Sequence, residues 1–220
     1  MSKNKALLIL NGELALNSNE IEYFKKTEEI EKVIAVDGGA DTARSLKIIP
    51  DLIIGDLDSV SDQNLAYFKK KGVEVIKHPV EKDQTDSEIA VDYCLDNEIK
   101  ELYIIAALGG RFDQQLANIN LLEYIYELNL KAKIISKNIE IALIDKKKVF
   151  NSKKAYRLSL IPQSKEVKNL KISGCKYNLS GRDIFRSKSR GISNFIEDEK
   201  AEISLESGLL IYVLENISSE

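Results

Sequence analysis

Up to about residue 137 the chain alternates short runs of Val, Ile and Leu with stretches of helical periodicity, and this alternation limits the folds open to it. The runs fall at 6–10, 33–36, 52–54, 73–76, 102–106 and 133–135. Most are near-continuous in aliphatic residues, as in strands covered on both faces. Helix candidates lie between them near 20–27, 40–46, 61–71, 85–97 and 113–129. Strand and helix in turn imply a mainly parallel, doubly wound sheet with helices on both faces. After residue 138 the texture changes. Apolar runs at 139–144, 156–161, 167–172, 200–205 and 209–214 are separated by Lys, Ser, Asn and Gly, and two of them alternate in period two. That fits antiparallel sheet with one wet face. The expected architecture is an α/β domain over 1–137 followed by a small all-β sandwich over 138–220.

Bulk composition narrows function mainly by exclusion. The 220 residues carry 32 basic and 35 acidic side chains, a net charge of −3. No strong field favours nucleic acid or a membrane surface, so any phosphate binding must come from local groups. The two cysteines, Cys94 and Cys175, form no spacing pattern and are expected as reduced, buried thiols. With a single histidine, His78, read as a loop residue before Pro79, they cannot build a Cys/His zinc site. The first apolar run is five residues long and ends at Asn11-Gly12. It is too short for a signal peptide or a membrane span, so a cytoplasmic protein is expected. Neither a GxxxxGK[ST] loop, a GxGxxG fingerprint nor a GxSxG elbow is present.

The chemistry is concentrated in four clusters that follow successive apolar runs: DGGAD at 37–41, GDLDS at 55–59, KDQTDSE at 82–88 and GGRFDQ at 109–114. In a doubly wound sheet, ligands sit beyond the carboxyl ends of the strands, where these clusters fall. Carboxylates there suit a hydrated divalent cation, and magnesium is commonly held by one or two carboxylates plus substrate phosphates. Asp56 and Asp58, one residue apart, point the same way in an extended chain. A plainer reading makes GDLDS a turn with Asp58-Ser59 capping the next helix. Asp86 in a first helical turn is equally explained by the helix dipole. Thr85 and Glu88 fit a capping box, and Asp113 fits an N-cap. Gly109-Gly110-Arg111 allows close backbone approach and a bidentate grip on phosphate, although a tight turn with a surface arginine has the same pattern. Together the clusters suggest metal-assisted chemistry on a nucleotide.

Taken in order, the segments resemble the thiamine pyrophosphokinase family, which carries DGGA, GD-x-DS, KD-x-TD-x-E-x-A and GGR-x-D-(His or Gln) segments. The second half adds Lys176-Tyr177-Asn178-Leu179 and a stretch from Ser189 to Asn194. The resemblance implies transfer of a diphosphoryl group from ATP to thiamine, giving thiamine diphosphate and AMP. It further implies a homodimer with active sites at the subunit interface. Asp56, Asp58 and Asp86 would hold Mg²⁺. Asp37, Gly38, Gly39, Lys82, Asp83, Thr85, Gly109, Gly110, Arg111, Asp113 and Gln114 would line the nucleotide and diphosphate site. Ser193 and Asn194 would approach thiamine. Asp86 and Asp113 are both conceivable acceptors of the hydroxyl proton. With no tryptophan in the chain, aromatic contact with the thiazolium falls to Tyr177, Phe195 or another ring. Two other functions share these motifs: the same transfer to a different heterocyclic alcohol such as a hydroxymethylpterin, and a non-catalytic sensor of nucleotide or thiamine diphosphate.

Overall fold

The computed structural model describes residues 4–81 and 83–217. The chain divides into two compact units, Met1–Lys137 and Asn138–Glu220. The first unit alternates β1 (Lys5–Ile9), α1 (Ser18–Glu28), β2 (Lys32–Val36), α2 (Gly39–Ser45), β3 (Leu52–Gly55), α3 (Asp62–Lys70), β4 (Glu74–Lys77), α4 (Asp86–Asp96), β5 (Glu101–Ile105), α5 (Phe112–Glu127) and β6 (Lys131–Ile135). Its six strands lie in the order β6-β5-β1-β2-β3-β4. Every pairing among them is parallel.

Alternate residues of the strands face opposite sides of this sheet. Leu7, Ile9, Val33, Ala35, Ile53, Tyr103 and Ile105 form one core with Ile21 of α1, Ala40 and Ala43 of α2, and Phe68 of α3. Their neighbours Leu8, Ile34, Leu52, Leu102 and Ile104 are equally buried on the other face. There α4 packs on β2 and β3, and α5 packs on β6. Burial on both faces explains the unbroken aliphatic runs. The edge strand β4 is only partly covered. The strand order reverses between β1 and β5, so the loops leaving these two neighbours diverge and open a crevice at the carboxyl edge.

Helix starts were readable in part. Thr85 caps α4 in a full capping box with Glu88, as the sequence indicates. Asn17 and Glu20 form a second capping box that starts α1 at Ser18. That motif is legible in the sequence as Asn-x-x-Glu. Asp113, expected as an N-cap, is not one. The N-cap position of α5 is Arg111, without a side-chain cap bond, and the helix begins at Phe112. Asp113 instead accepts from the Gln114 N–H and from the Arg111 guanidinium within the first turn.

The second unit contains β7 (Ile139–Ile144), β8 (Lys147–Asn151), β9 (Arg157–Pro162), β10 (Glu166–Ser173), β11 (Leu179–Phe185), β12 (Asn194–Phe195), β13 (Lys200–Ser204) and β14 (Leu210–Glu215). Strands β12-β9-β14-β7 and β11-β10-β13-β8 form its two layers. Ile144, Leu158, Leu160 and Tyr212 from one layer meet Phe150, Leu170, Ile172, Ile184 and Ile203 from the other in a single core. Strands β8, β11 and β12 were not expected from the sequence. Both β8 and β11 are edges of their layer, each paired on one side only. An edge strand buries little, and β11 keeps only Ile184 buried, so its apolar pattern is weak. Cys94 and Cys175 are free and buried, as expected of reduced thiols. Among the described residues no helix is long and apolar enough to cross a membrane.

Ile34 is fully buried in a strand flanked by β1 and β3. Ile34→Ala should therefore destabilise the chain by about 2–5 kcal/mol. Urea denaturation followed by circular dichroism measures this, and a loss below about 1 kcal/mol would contradict the packing described.

Candidate active site

Each acidic cluster is placed by the strand before it. Asp37 follows β2 with a left-handed backbone, φ 46°, and its N–H donates to Ile54 O at 2.9 Å. Asp56 follows β3 after Gly55, whose φ is 146°. A Cβ on Gly55 would sit 3.1 Å from the Asp37 Cβ and 3.2 Å from the Asp86 carboxyl carbon. Glycine at 55 thus lets the Asp37 and Asp86 side chains approach the start of the Asp56 loop. Oxygens of Asp37, Asp56 and Asp58 all lie within 4.8 Å of one another. Asp56 and Asp58 converge through a turn, not an extended segment as expected. Leu57 between them is left-handed at φ 65°, and the Asp58 N–H donates to Asp56 Oδ1 at 3.1 Å. Asp86 stands beside this trio, accepting the Asp56 N–H at 3.1 Å. The Ser59 hydroxyl donates to Asp58 at 2.8 Å, and the Ser59 N–H to Asp37 at 3.4 Å.

Crowding has an electrostatic consequence. Burial pushes the Asp37 carboxyl above the usual aspartate range, and the nearby Asp86 charge pushes the same way; hydrogen bonds from Gly38 and Ser59 only partly oppose this. Asp41, which belongs to the same DGGAD segment, has a different task. It accepts from the Ser61 N–H, the Ser61 hydroxyl and the Asn64 amide, and so ties α2 to the start of α3. No Asp58-Ser59 cap forms there; the N-cap of α3 is Ser61.

The crevice beside the trio is a cleft of about 480 Å³, within the range of small-molecule sites. Asp37, Thr85, Asp86, Gly109 and Gln114 line it, as do Ser59, Glu88, Asn118 and Tyr124. Asp37 therefore joins the cleft to Asp56 and Asp58. Gly38 and Gly39 bring α2 close: a Cβ on Gly39 would fall on the Ile9 carbonyl, so no larger residue fits without moving the helix. Gly110 donates its N–H to Glu13 Oε1 at 3.3 Å. Arg111 is 71% exposed and grips Asp113 through Nε at 3.2 Å and Nη2 at 2.6 Å. This contact holds the Asp113 carboxyl below its usual range. Asp83 is exposed on the loop before α4, and Lys82 lies outside the described residues.

Ser193 and Asn194 belong to the second unit. Asn194 is buried and fully engaged. Its Oδ1 accepts from the N–H groups of Tyr177 and Phe195, and its Nδ2 donates to Tyr177 O. It fixes the turn that carries Tyr177. Ser193 is exposed and left-handed at φ 57°, with its N–H on Ser159 Oγ at 3.0 Å.

Residues 24–134 match the family model for the thiamin pyrophosphokinase catalytic domain, and 144–210 match that family's vitamin B1 binding domain. The first match contains all four acidic and glycine clusters, and the second contains Ser193 and Asn194. The chain belongs to the thiamine pyrophosphokinase family. The thiamine pyrophosphokinase of Bacillus subtilis (strain 168) is 32% identical over 192 residues, covering 85% of this chain and 88% of that one. Thiamine pyrophosphokinase 1 of Oryza sativa subsp. japonica is 29% identical over 73% of this chain, which spans 64% of that protein. The crystal structure of the B. subtilis protein superposes with a TM-score of 0.84 at 28% identity, covering 96% of this chain and 99% of that one. Yeast thiamin pyrophosphokinase, at 20% identity, shares the fold with a TM-score of 0.80 over 98% of this chain and 87% of that one.

The raised Asp37 carboxyl fixes the sign of a stability test. Its folded pKa lies above its unfolded one, so its contribution is favourable while protonated and is lost as pH rises through the folded value. At neutral pH the charged group opposes folding in the metal-free chain. Asp37→Asn removes the charge and keeps a residue that tolerates the left-handed backbone. Its Tm without metal should exceed that of the unaltered chain at pH 7, and the gain should fade as pH falls towards the ordinary aspartate range. A metal-free Tm that drops at pH 7 would contradict the electrostatic reading.

Proposed function

We propose that this chain transfers a diphosphoryl group from ATP to the hydroxyl of thiamine, giving thiamine diphosphate and AMP, with Mg²⁺ as cofactor. The observation that carries the proposal is the convergence of Asp37, Asp56 and Asp58 beside a nucleotide-sized cleft, in a chain of this family. An all-carboxylate donor set with one member pushed towards protonation fits a hard divalent cation, since a cation would relieve the repulsion that crowding creates. Asp56 and Asp58 would hold it, with Asp37 and Asp86 completing or flanking the set. When bound, Mg²⁺ neutralises charge on the phosphate oxygens of the donor.

The remaining work falls to the chain's own groups. Phosphoryl-type transfer depends on alignment and charge neutralisation more than on covalent catalysis. Gly109, on the cleft wall, allows close approach of the backbone to the donor phosphates, while the Gly110 N–H, held by Glu13, fixes the turn. Arg111 uses two of its five N–H donors on Asp113 and can direct others at phosphate. Lys82, Asp83, Thr85 and Gln114 belong to the same donor site in this reading, with Thr85 and Gln114 on the cleft wall. The thiamine oxygen forms the new bond to the β-phosphorus. The bond from that phosphorus to the bridging oxygen breaks, and AMP leaves with the electron pair. The hydroxyl proton passes to a carboxylate. Asp86 and Asp113 are the two candidate acceptors: Asp86 lines the cleft and accepts the Asp56 N–H, and Asp113 is held through both oxygens by Arg111.

Thiamine recognition is assigned to the second unit, with Ser193 and the Tyr177 turn held by Asn194. The exposed Tyr177 and Ile192 beside Ser193, 59% and 53% accessible, support a homodimer in which this face meets a second copy. A cytoplasmic setting belongs to the same reading, supported by two free, buried thiols.

The test is an assay of purified protein with Mg·ATP and thiamine, following products by chromatography. AMP and thiamine diphosphate should appear together and vanish with EDTA. Asp58→Ala should lower kcat/KM by at least about a hundredfold, the loss expected when several kcal/mol of charge stabilisation disappear. ADP with thiamine monophosphate would refute diphosphoryl transfer. Turnover with a hydroxymethylpterin alone would move the acceptor, and tight binding without any product would favour a sensor. Sedimentation at micromolar concentration should show a dimer; a monomer would refute the interface.

A further inference from the structure

The face of α4 that follows Asp86 carries two carboxylates one helical turn apart, Glu88 and Asp92. Like charges at this spacing repel and weaken a helix. Both are occupied, and both hold the loop that precedes the helix. Glu88 Oε2 accepts the Thr85 N–H at 2.7 Å. Asp92 Oδ2 accepts the Gln84 side-chain amide at 2.7 Å. Consecutive loop residues are thus gripped by consecutive acids on one helix face. The other oxygen of Asp92, Oδ1, accepts the hydroxyl of Tyr124 from α5 at 2.5 Å. Thr85, Asp86 and Tyr124 all line the cleft. One carboxylate therefore fixes the loop leading to Asp86 and an aromatic side chain on the cleft wall. The hydrogen bond to Asp92 is the main reason the Tyr124 hydroxyl is pushed up to about 12, which keeps it a donor at any ordinary pH.

We propose that Asp92 is a positioning residue: it sets the Tyr124 ring as a wall for a planar aromatic heterocycle and, through Gln84, fixes the approach to Asp86. The chemistry is that of a flat ring resting on an aromatic side chain whose orientation is locked by its hydroxyl bond. Both proposed substrates carry such a ring, adenine in ATP and the aminopyrimidine in thiamine. The hydrogen bonds of Asp92 are charge-assisted and short, so they hold geometry more firmly than neutral ones. Locking side chains before substrate arrives lowers the ordering cost of binding. The inference rests on the diphosphotransferase reading above.

Steady-state kinetics on the full chain separate this role from a merely structural one. Tyr124→Phe keeps the ring and loses the anchor, and Asp92→Ala loses the anchor and the Gln84 tether. Each should raise KM for one substrate by about tenfold, a factor equivalent to ~1.4 kcal/mol, with kcat changed far less. The substrate affected identifies the heterocycle. Asp92→Asn still offers an acceptor to the Tyr124 hydroxyl and should restore most of the loss. The double variant should be no worse than Asp92→Ala alone, because the two residues act through one bond. Unchanged KM values in Asp92→Ala and Tyr124→Phe, or losses that simply add, would overturn the proposal. If the unaltered chain makes no thiamine diphosphate, the functional reading has failed and this inference is then judged by equilibrium titration. ATP and thiamine are titrated separately, and Asp92→Ala must weaken one of them; weakening of neither overturns it.

Discussion

The first unit is organised around a problem of like charge. Three carboxylates with oxygens inside a 4.8 Å span, and a fourth beside them, would separate in a freely moving chain. They are held by backbone N–H groups donated from the single loop after β3: Asp56 to Asp86, Asp58 to Asp56, Ser59 to Asp37. Those amides face inward because Asp37, Leu57 and Gly55 adopt backbone angles that most residues avoid. The parallel strands fix where these loops begin, and the aliphatic sheet core fixes the strands. Stability stored in β2 and β3 is thereby set against electrostatic repulsion at their ends, the usual relation between a rigid scaffold and a preorganised site.

Much of this was legible in the sequence because burial on both faces of a sheet writes itself as uninterrupted Val, Ile and Leu. The parallel strands and the helices described in the first unit follow from that pattern and from turn residues. Strands β8 and β11 were hidden for the complementary reason. An edge strand such as Lys147–Asn151 needs few inward side chains: Phe150 is its buried residue, and Lys147 and Asn151 at its ends are exposed. The candidate site was legible as motifs but not as geometry. Asp37 reads as part of a glycine turn, and only its left-handed backbone swings it towards Asp56 and Asp58. Asp113 reads as a helix cap, yet Arg111 two residues earlier competes successfully for both its oxygens. Tyr124 carries no motif at all. It reaches the cleft because α5 packs beside α4, a tertiary fact that local spacing does not record.

The second unit shows a different economy of polar groups. Among the described residues Asn194 is the buried polar one of that sandwich, and its side-chain bonds go to the backbone of the Tyr177 turn and of its own strand. A buried amide with all these contacts satisfied specifies one conformation of the turn, since any alternative would leave a polar group unpaired in an apolar setting. The exposed Tyr177 ring is therefore presented from a fixed backbone, although the side chain itself lies at the surface.

Cys94 gives the protein a built-in reporter. It sits fully buried on α4, two turns beyond Asp86, and burial holds its thiol pushed up to about 12. Only a thiolate in contact with solvent reacts with an alkylating reagent. Covalent labelling at this position consequently counts the rare openings in which α4 leaves the sheet. The helix that presents Asp86, Glu88 and Asp92 carries its own clock, readable by mass spectrometry on the native chain.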